Sequence, residues 1–132
     1  ANGSVSGAEG GCQAEVGSPA AMVAAAAVAM AGGTPTQALD AASDVIQCLL
    51  GLVCDPVGGL VEVPCQKRNA TAASVALVSA QIALAGVENL ISFDEAVAVM
   101  DEVGRGLPPE LRETALGGIA KAPSACRYCA GC

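Results

Sequence analysis

The sequence predicts an all-α fold: a compact bundle of about four to five Ala-rich helices with a buried cysteine-bearing loop. Three observations carry this. Apolar residues make up 53% of the 132, yet there is one Phe, one Tyr and no Trp, so Ala, Val and Leu must fill the core. Ala is the best helix former, and small side chains let helix backbones approach closely. Successive stretches keep the spacing of a buried helical face, and no run alternates in the manner of a strand. The length is that of one domain with a core of its own. A core without bulky side chains is weak per residue, however, so residues 1–132 read as a single domain that needs more chain, or a partner, to be stable.

Residues 1–17 are rich in Gly, Ser and Ala, and Gly10-Gly11-Cys12-Gln13 reads as a glycine-rich approach to a helix. The start, Ala1-Asn2-Gly3-Ser4, has neither an initiator Met nor a basic n-region. It reads as a fragment or processed chain, not as a secretory signal. Ser18 is the expected N-cap, with Pro19 at the first helical position, of a helix running to about Met30 and stopped by Gly32-Gly33. Val16 to Gly33 is uncharged and about long enough to cross a membrane. Ser18, Pro19 and eight alanines make it only mildly apolar, and no aromatic belt or basic flank follows. A buried helix is the expectation.

Thr34-Pro35-Thr36-Gln37 restarts a helix with a capping box, and Leu39, Ala42, Ile46 and Leu49/Leu50 keep helical spacing to Leu50. Gly51 to Pro64 holds two prolines and three glycines, which forbid a continuous helix. The segment is mostly apolar and is expected to be a buried loop. Such loops are uncommon because their backbone polar groups need partners, and a metal site is one reason to keep one. From Cys65 a helix is expected to about Ala85, with Ala73, Ala76, Leu77, Ala80 and Leu84 on one face. Ser92-Phe93-Asp94-Glu95 is a second capping box, opening a helix through Val103. Pro108-Pro109-Glu110 begins a short turn ending near Glu113, and residues 117–132 form an irregular, Cys-containing tail.

The net charge is −7, with six basic residues scattered along the chain. This argues against nucleic acid, whose binding needs clustered Lys and Arg. Seven cysteines are many and odd in number, and their apolar, Ala-rich surroundings fit a reducing cytoplasm better than a secreted disulfide scaffold. Cys12, Cys54 and Cys65 all fall near helix ends or breaks, where free N–H groups stabilise a thiolate. Their intervals match neither a zinc ribbon nor a ferredoxin run, and small buried hydrophobes are the plain alternative. Cys126, Cys129 and Cys132 form C-x2-C-x2-C, lacking a ferredoxin run's fourth Cys and Pro; a short tail could hold adventitious zinc. Cys48, inside a helix, reads as core.

Four blocks carry a resemblance. They are Glu9-Gly10-Gly11-Cys12-Gln13-Ala14-Glu15-Val16-Gly17; Leu50 through Asp55-Pro56-Val57-Gly58-Gly59 to Cys65; Arg68-Asn69-Ala70; and Leu107-Pro108-Pro109-Glu110-Leu111-Arg112-Glu113-Thr114 followed by Gly117-Gly118. In this order, over nearly the whole chain, they resemble the C-terminal part of the α or catalytic chain of iron–sulfur-dependent L-serine dehydratases. The resemblance implies a [4Fe-4S] cluster held by Cys12, Cys54 and Cys65, with one iron left open to act as a Lewis acid on the β-hydroxyl of L-serine. Pyruvate and ammonia would be the products, with no pyridoxal phosphate needed. Some members end in a cysteine that folds onto the open iron; Cys132 is the matching residue, a bystander tail the alternative.

The resemblance also implies partners: the remainder of the catalytic chain, a regulatory β chain or domain, and a homo- or hetero-oligomer. Neither nucleic acid nor a membrane is expected as a partner. Arg68, three residues after Cys65 and on its helix face, is the first candidate for the substrate carboxylate. Asn69 could add a hydrogen bond, and Arg112 is the second choice; a surface or ion-pair role is the alternative for both arginines. The base is less defined. There is no His, Glu15, Asp55 and Glu113 are the nearby carboxylates, and Asp55 could simply cap its loop. A Thr-Ala-Pro-Thr-Asn-Gly type motif, which normally lies upstream in the family, is missing here, and the alternative is that the base is missing with it. A related L-cysteine desulfidase-type lyase and a non-catalytic iron–sulfur or structural helical module are the rival readings.

Overall fold

Residues 3–128 are described in the computed structural model of the chain. Two single turns, α1 (Gly7–Gly10) and α2 (Cys12–Glu15), lead into four long helices: α3 (Gly17–Met30), α4 (Pro35–Leu49), α5 (Cys65–Leu84) and α6 (Phe93–Gly106). A short helix, α7 (Pro123–Tyr128), ends the described part. There is no strand among the described residues, only a lone parallel bridge between Cys54 and Arg112. The all-α expectation holds.

Helices α3, α4 and α5 pack on one another, α6 lies on α4, and α1 and α2 sit against α6. The core between them is made of small residues: Ala20, Ala21, Ala24 and Val28 from α3, Ala41, Ala42, Val45 and Ile46 from α4, and Ala72, Ala76, Ala80 and Ala83 from α5. With so little side-chain volume the helices must approach closely, and hydrogen bonds cross the gaps. Ser79 Oγ on α5 donates to Asp44 Oδ2 on α4 at 2.6 Å. Gln37 Nε2 on α4 donates to the Ala83 carbonyl at 2.9 Å. Asn89 and Gln47 tie the α5–α6 connection back to α4.

Both capping boxes form. Thr34 Oγ1 accepts from Gln37 N at 3.2 Å while Gln37 Oε1 accepts from Thr34 N at 2.9 Å. Ser92 and Glu95 make the same reciprocal pair at the start of α6.

Elsewhere the structure corrects the sequence reading. Ser18 is not a cap: the chain is already helical from Cys12, with Val16 in right-handed helical conformation at the joint. Pro19 is tolerated because the acceptor its missing N–H would need is Glu15, at the end of α2. Cys12–Met30 is long and apolar enough to cross a membrane, but half of it is buried within the bundle, as for a core helix. On α5, Ala76 and Ala80 are buried and Leu84 packs against the core, whereas Ala73 and Leu77 face outward. Apolar residues occur all round α5, so periodicity does not choose its inner face; side-chain size does.

Cys48 is exposed rather than core, because Ala41, Ala42, Val45 and Ile46 take the inner face of α4. In the 51–64 loop, Cys54 to Val57 are buried but Gly58 to Val63 are exposed. A 3-10 turn at Val57–Gly59 and the Val57 N to Val63 O hydrogen bond fold that part outward on itself. The Pro109–Leu111 turn ends before Arg112, which is drawn into the bridge with Cys54. Of the tail, residues 118–128 are more regular than their lack of periodicity suggests, with a 3-10 turn at Gly118–Lys121 followed by α7.

Candidate metal centre

The three cysteines singled out by the sequence lie on three separate segments. Cys12 is the first residue of α2 and is held by its neighbour Gln13, whose N–H donates to Leu52 O at 2.8 Å. The buried Gln13 side chain accepts from Gly51 N at 2.9 Å and donates to Met100 O at 2.8 Å, fixing α2 between the 51–54 segment and α6. Cys54 is gripped through its backbone. Its N–H donates to Leu111 O at 2.8 Å, and its carbonyl accepts from Glu113 N at 2.7 Å. Cys65 opens α5.

The Cys12 and Cys54 sulfurs and a Glu15 carboxylate oxygen lie within 4.8 Å of one another. Both thiols are buried, while Glu15 is exposed. Gly7 makes the room: a Cβ there would run into the Glu15 carboxylate and stand 3.0 Å from Cys54 Sγ. Cys65 is outside that tight group yet close enough to feel Cys12, Glu15 and Arg68. Burial pushes the Cys54 thiol up, reinforced by Cys12 through charge and a hydrogen bond, and by Glu113 and Glu15. Burial also raises Cys65, aided by Cys12 and Glu15, with Arg68 opposing.

This donor set fits a thiophilic metal group. Thiolates are soft ligands suited to iron–sulfur clusters, zinc and copper(I), and the burial and repulsion that raise Cys54 and Cys65 are both relieved when a polycation replaces their protons.

The other expected residues divide. Arg68 Nη1 donates to Asp55 Oδ1 at 2.7 Å, to Val53 O at 2.8 Å and toward Cys12 Sγ at 3.8 Å. Burial would weaken the charge on Arg68, but Asp55 and Cys12 outweigh it and strengthen it. Asp55 is buried, and its second oxygen accepts from Ile119 N at 2.7 Å. Gly118, at φ 58°, passes so close to Asp55 that a Cβ would collide with the carboxylate.

Asn69 turns its amide to the carbonyl of Cys65, one helical turn back. Arg112 lines a cavity of about 520 Å³ together with Glu9, Gly10, Asp101 and Arg105. Glu113 is exposed, with its backbone at φ 67° beside Cys54. Cys132 and Cys129 lie outside the described residues. Sequence reasoning missed Gln13, Gly7 and Gly118. A glutamine between Cys12 and Ala14 in an apolar stretch was the available signal for the first, and the two close approaches left none.

Residues 1–120 match the family described as serine dehydratase alpha chain. The L-serine dehydratase, alpha chain, of Peptoniphilus asaccharolyticus is 60% identical over 114 residues, covering 86% of this chain and 39% of the relative. The probable L-serine dehydratase, alpha chain, of Bacillus subtilis (strain 168) is 55% identical over 123 residues, covering 93% of this chain and 41% of the relative. The L-serine dehydratase of Streptomyces coelicolor is 45% identical over 120 residues, covering 90% and 26%. This chain therefore spans about two fifths of the length of the alpha-chain relatives and about a quarter of the longer one. On the match over residues 1–120, the chain belongs to the serine dehydratase alpha chain family.

Proposed function

We propose that this chain is the metal-binding part of an L-serine ammonia-lyase that eliminates water from L-serine to give pyruvate and ammonia. The observation that carries the reading is the convergence of Cys12, Cys54 and Glu15 within 4.8 Å, with Cys65 beside them, in a chain so similar to L-serine dehydratase alpha chains. Cys12, Cys54 and Cys65 would hold a [4Fe-4S] cluster, which supplies Lewis acidity toward the substrate hydroxyl when bound. Arg112, which lines the cavity of about 520 Å³, would take the substrate carboxylate.

Of the three candidate carboxylates, Asp55 is committed to Arg68 and Ile119, and Glu113, close enough to raise the Cys54 thiol, is outside the tight Cys12, Glu15 and Cys54 group. Glu15 stands at the sulfurs, accessible to solvent, and is the carboxylate best placed to move the α-proton. The remainder of the catalytic chain and a regulatory β chain or domain would complete a cytoplasmic oligomer.

Anaerobic reconstitution with iron and sulfide tests this. About four irons per chain, lost on Cys12→Ala, Cys54→Ala or Cys65→Ala, and a spectrum that shifts on adding L-serine to the complete enzyme, are expected. A cluster indifferent to serine would favour a non-catalytic iron–sulfur module, a response to L-cysteine alone a desulfidase, and no bound iron would end the metal-centre reading.

A further inference from the structure

Arg68 fits a substrate-binding role poorly, because its charge is already answered inside the protein. One nitrogen, Nη1, reaches Asp55 Oδ1, Val53 O and Cys12 Sγ. Val53 and Asp55 flank Cys54, so the guanidinium grips both neighbours of one sulfur-bearing residue while touching the sulfur of another. Arg68 also stands one turn into the helix that Cys65 opens. Its side chain is 16% exposed and that of Asp55 2%. A substrate carboxylate competing for Arg68 would leave Asp55 as a buried, unpaired charge, which is strongly unfavourable. The second oxygen of Asp55 extends the link to the Gly118–Lys121 turn through Ile119 N.

We propose that Arg68, paired with Asp55, is a positioning residue. It ties Cys12, the Cys54 loop, the start of α5 and the Gly118–Lys121 turn into one unit and so sets the spacing of the three thiols. The metal-related consequence rests on the reading above; the mechanical link does not. Hydrogen-bonding groups of this kind behind a metal ligand are worth about 10–100-fold in affinity.

The test uses cadmium(II) on the 132-residue chain carrying C48S, C126S, C129S and C132S, so that only the three central thiols report. Arg68→Lys keeps the charge but ends one bond short of the position of Nη1, and Asp55→Asn keeps the shape but not the charge. Each is expected to weaken cadmium binding about 10–100-fold and to shrink the thiolate-to-cadmium absorption per metal. The double variant should be no weaker than the worse single one, because the two residues act as one device. Hydrogen exchange at the Ile119 amide should quicken in both single variants.

Arg112→Lys should leave cadmium binding and Ile119 exchange unchanged. Wild-type cadmium affinity in Arg68→Lys, together with a raised KM for L-serine in the complete enzyme, would overturn the proposal and make Arg68 a substrate clamp. Unchanged Ile119 exchange in both variants would also overturn it, and that readout decides if one variant folds poorly or the chain takes no metal. Cadmium bound as expected in a chain that takes no iron would leave the positioning role standing and remove the dehydratase reading alone.

Discussion

Gln13 has little margin for substitution. Its side-chain amide is fully buried, and both ends are used, one by Gly51 N and the other by Met100 O. Gln13→Leu keeps the approximate volume but strands a buried donor and a buried acceptor, each worth about 1–3 kcal/mol when left unmade. A loss of about 2–4 kcal/mol in urea-induced unfolding is expected; a loss below about 0.5 kcal/mol would mean that water replaces the amide at both ends. Little of this was legible. Cys12, Cys54 and Cys65 stand out in the sequence as thiols at helix breaks, but their spacing matches no known run, and the family resemblance was needed to group them. Arg68 could be placed relative to Cys65 by helical spacing, a local rule. Its partner Asp55 lies 13 residues away across a loop, and no periodicity predicts where such a loop returns.

Elements were read best where side chain and backbone contact each other within one turn. Both capping boxes are of this kind, and both appear as expected. At the start of α6, Glu95 accepts from the hydroxyl and the backbone N–H of Ser92, and these bonds hold its carboxyl below the usual range. A depressed carboxyl contributes stability that is present above the unfolded value, about 4.3, and lost as pH falls through the lower folded one. Glu95→Ala should therefore destabilise the chain at neutral pH, and the difference from wild type should vanish in acid; a pH-independent difference in thermal unfolding would refute the box as its source. Ser92→Ala should cost about 1 kcal/mol at neutral pH. The start of α2–α3 was misplaced for a related reason: Ser18-Pro19 has the local signature of a cap, but the helix had begun six residues earlier through contacts with the 51–54 loop and α6. Those contacts are long-range and leave no mark on the residues themselves.

The bundle as a whole puts small residues inside and several large apolar ones outside, which explains how Ala73 and Leu77 were wrongly assigned to the inner face of α5. Packing α5 against both α3 and α4 requires close approach, and Ala72, Ala76, Ser79, Ala80 and Ala83 allow it. Leu77, Val78, Ile82 and Val87 are left outside, lining a shallow groove of about 460 Å³, with Leu77 57% exposed. Hydrophobicity alone would assign the free energy of folding to these larger side chains, while the geometry assigns it to the alanines. The two views separate by mutation. Leu77→Ser should change the stability of the 132-residue chain by no more than about 0.5 kcal/mol, the usual range for a surface position. Ala80→Leu, which adds apolar volume where no space exists, should cost about 1–3 kcal/mol through overpacking. Chemical denaturation of both variants beside wild type decides. If Leu77→Ser is the more damaging, the outer face of α5 is packed in the folded chain and the alanine face is not the one that holds the bundle together.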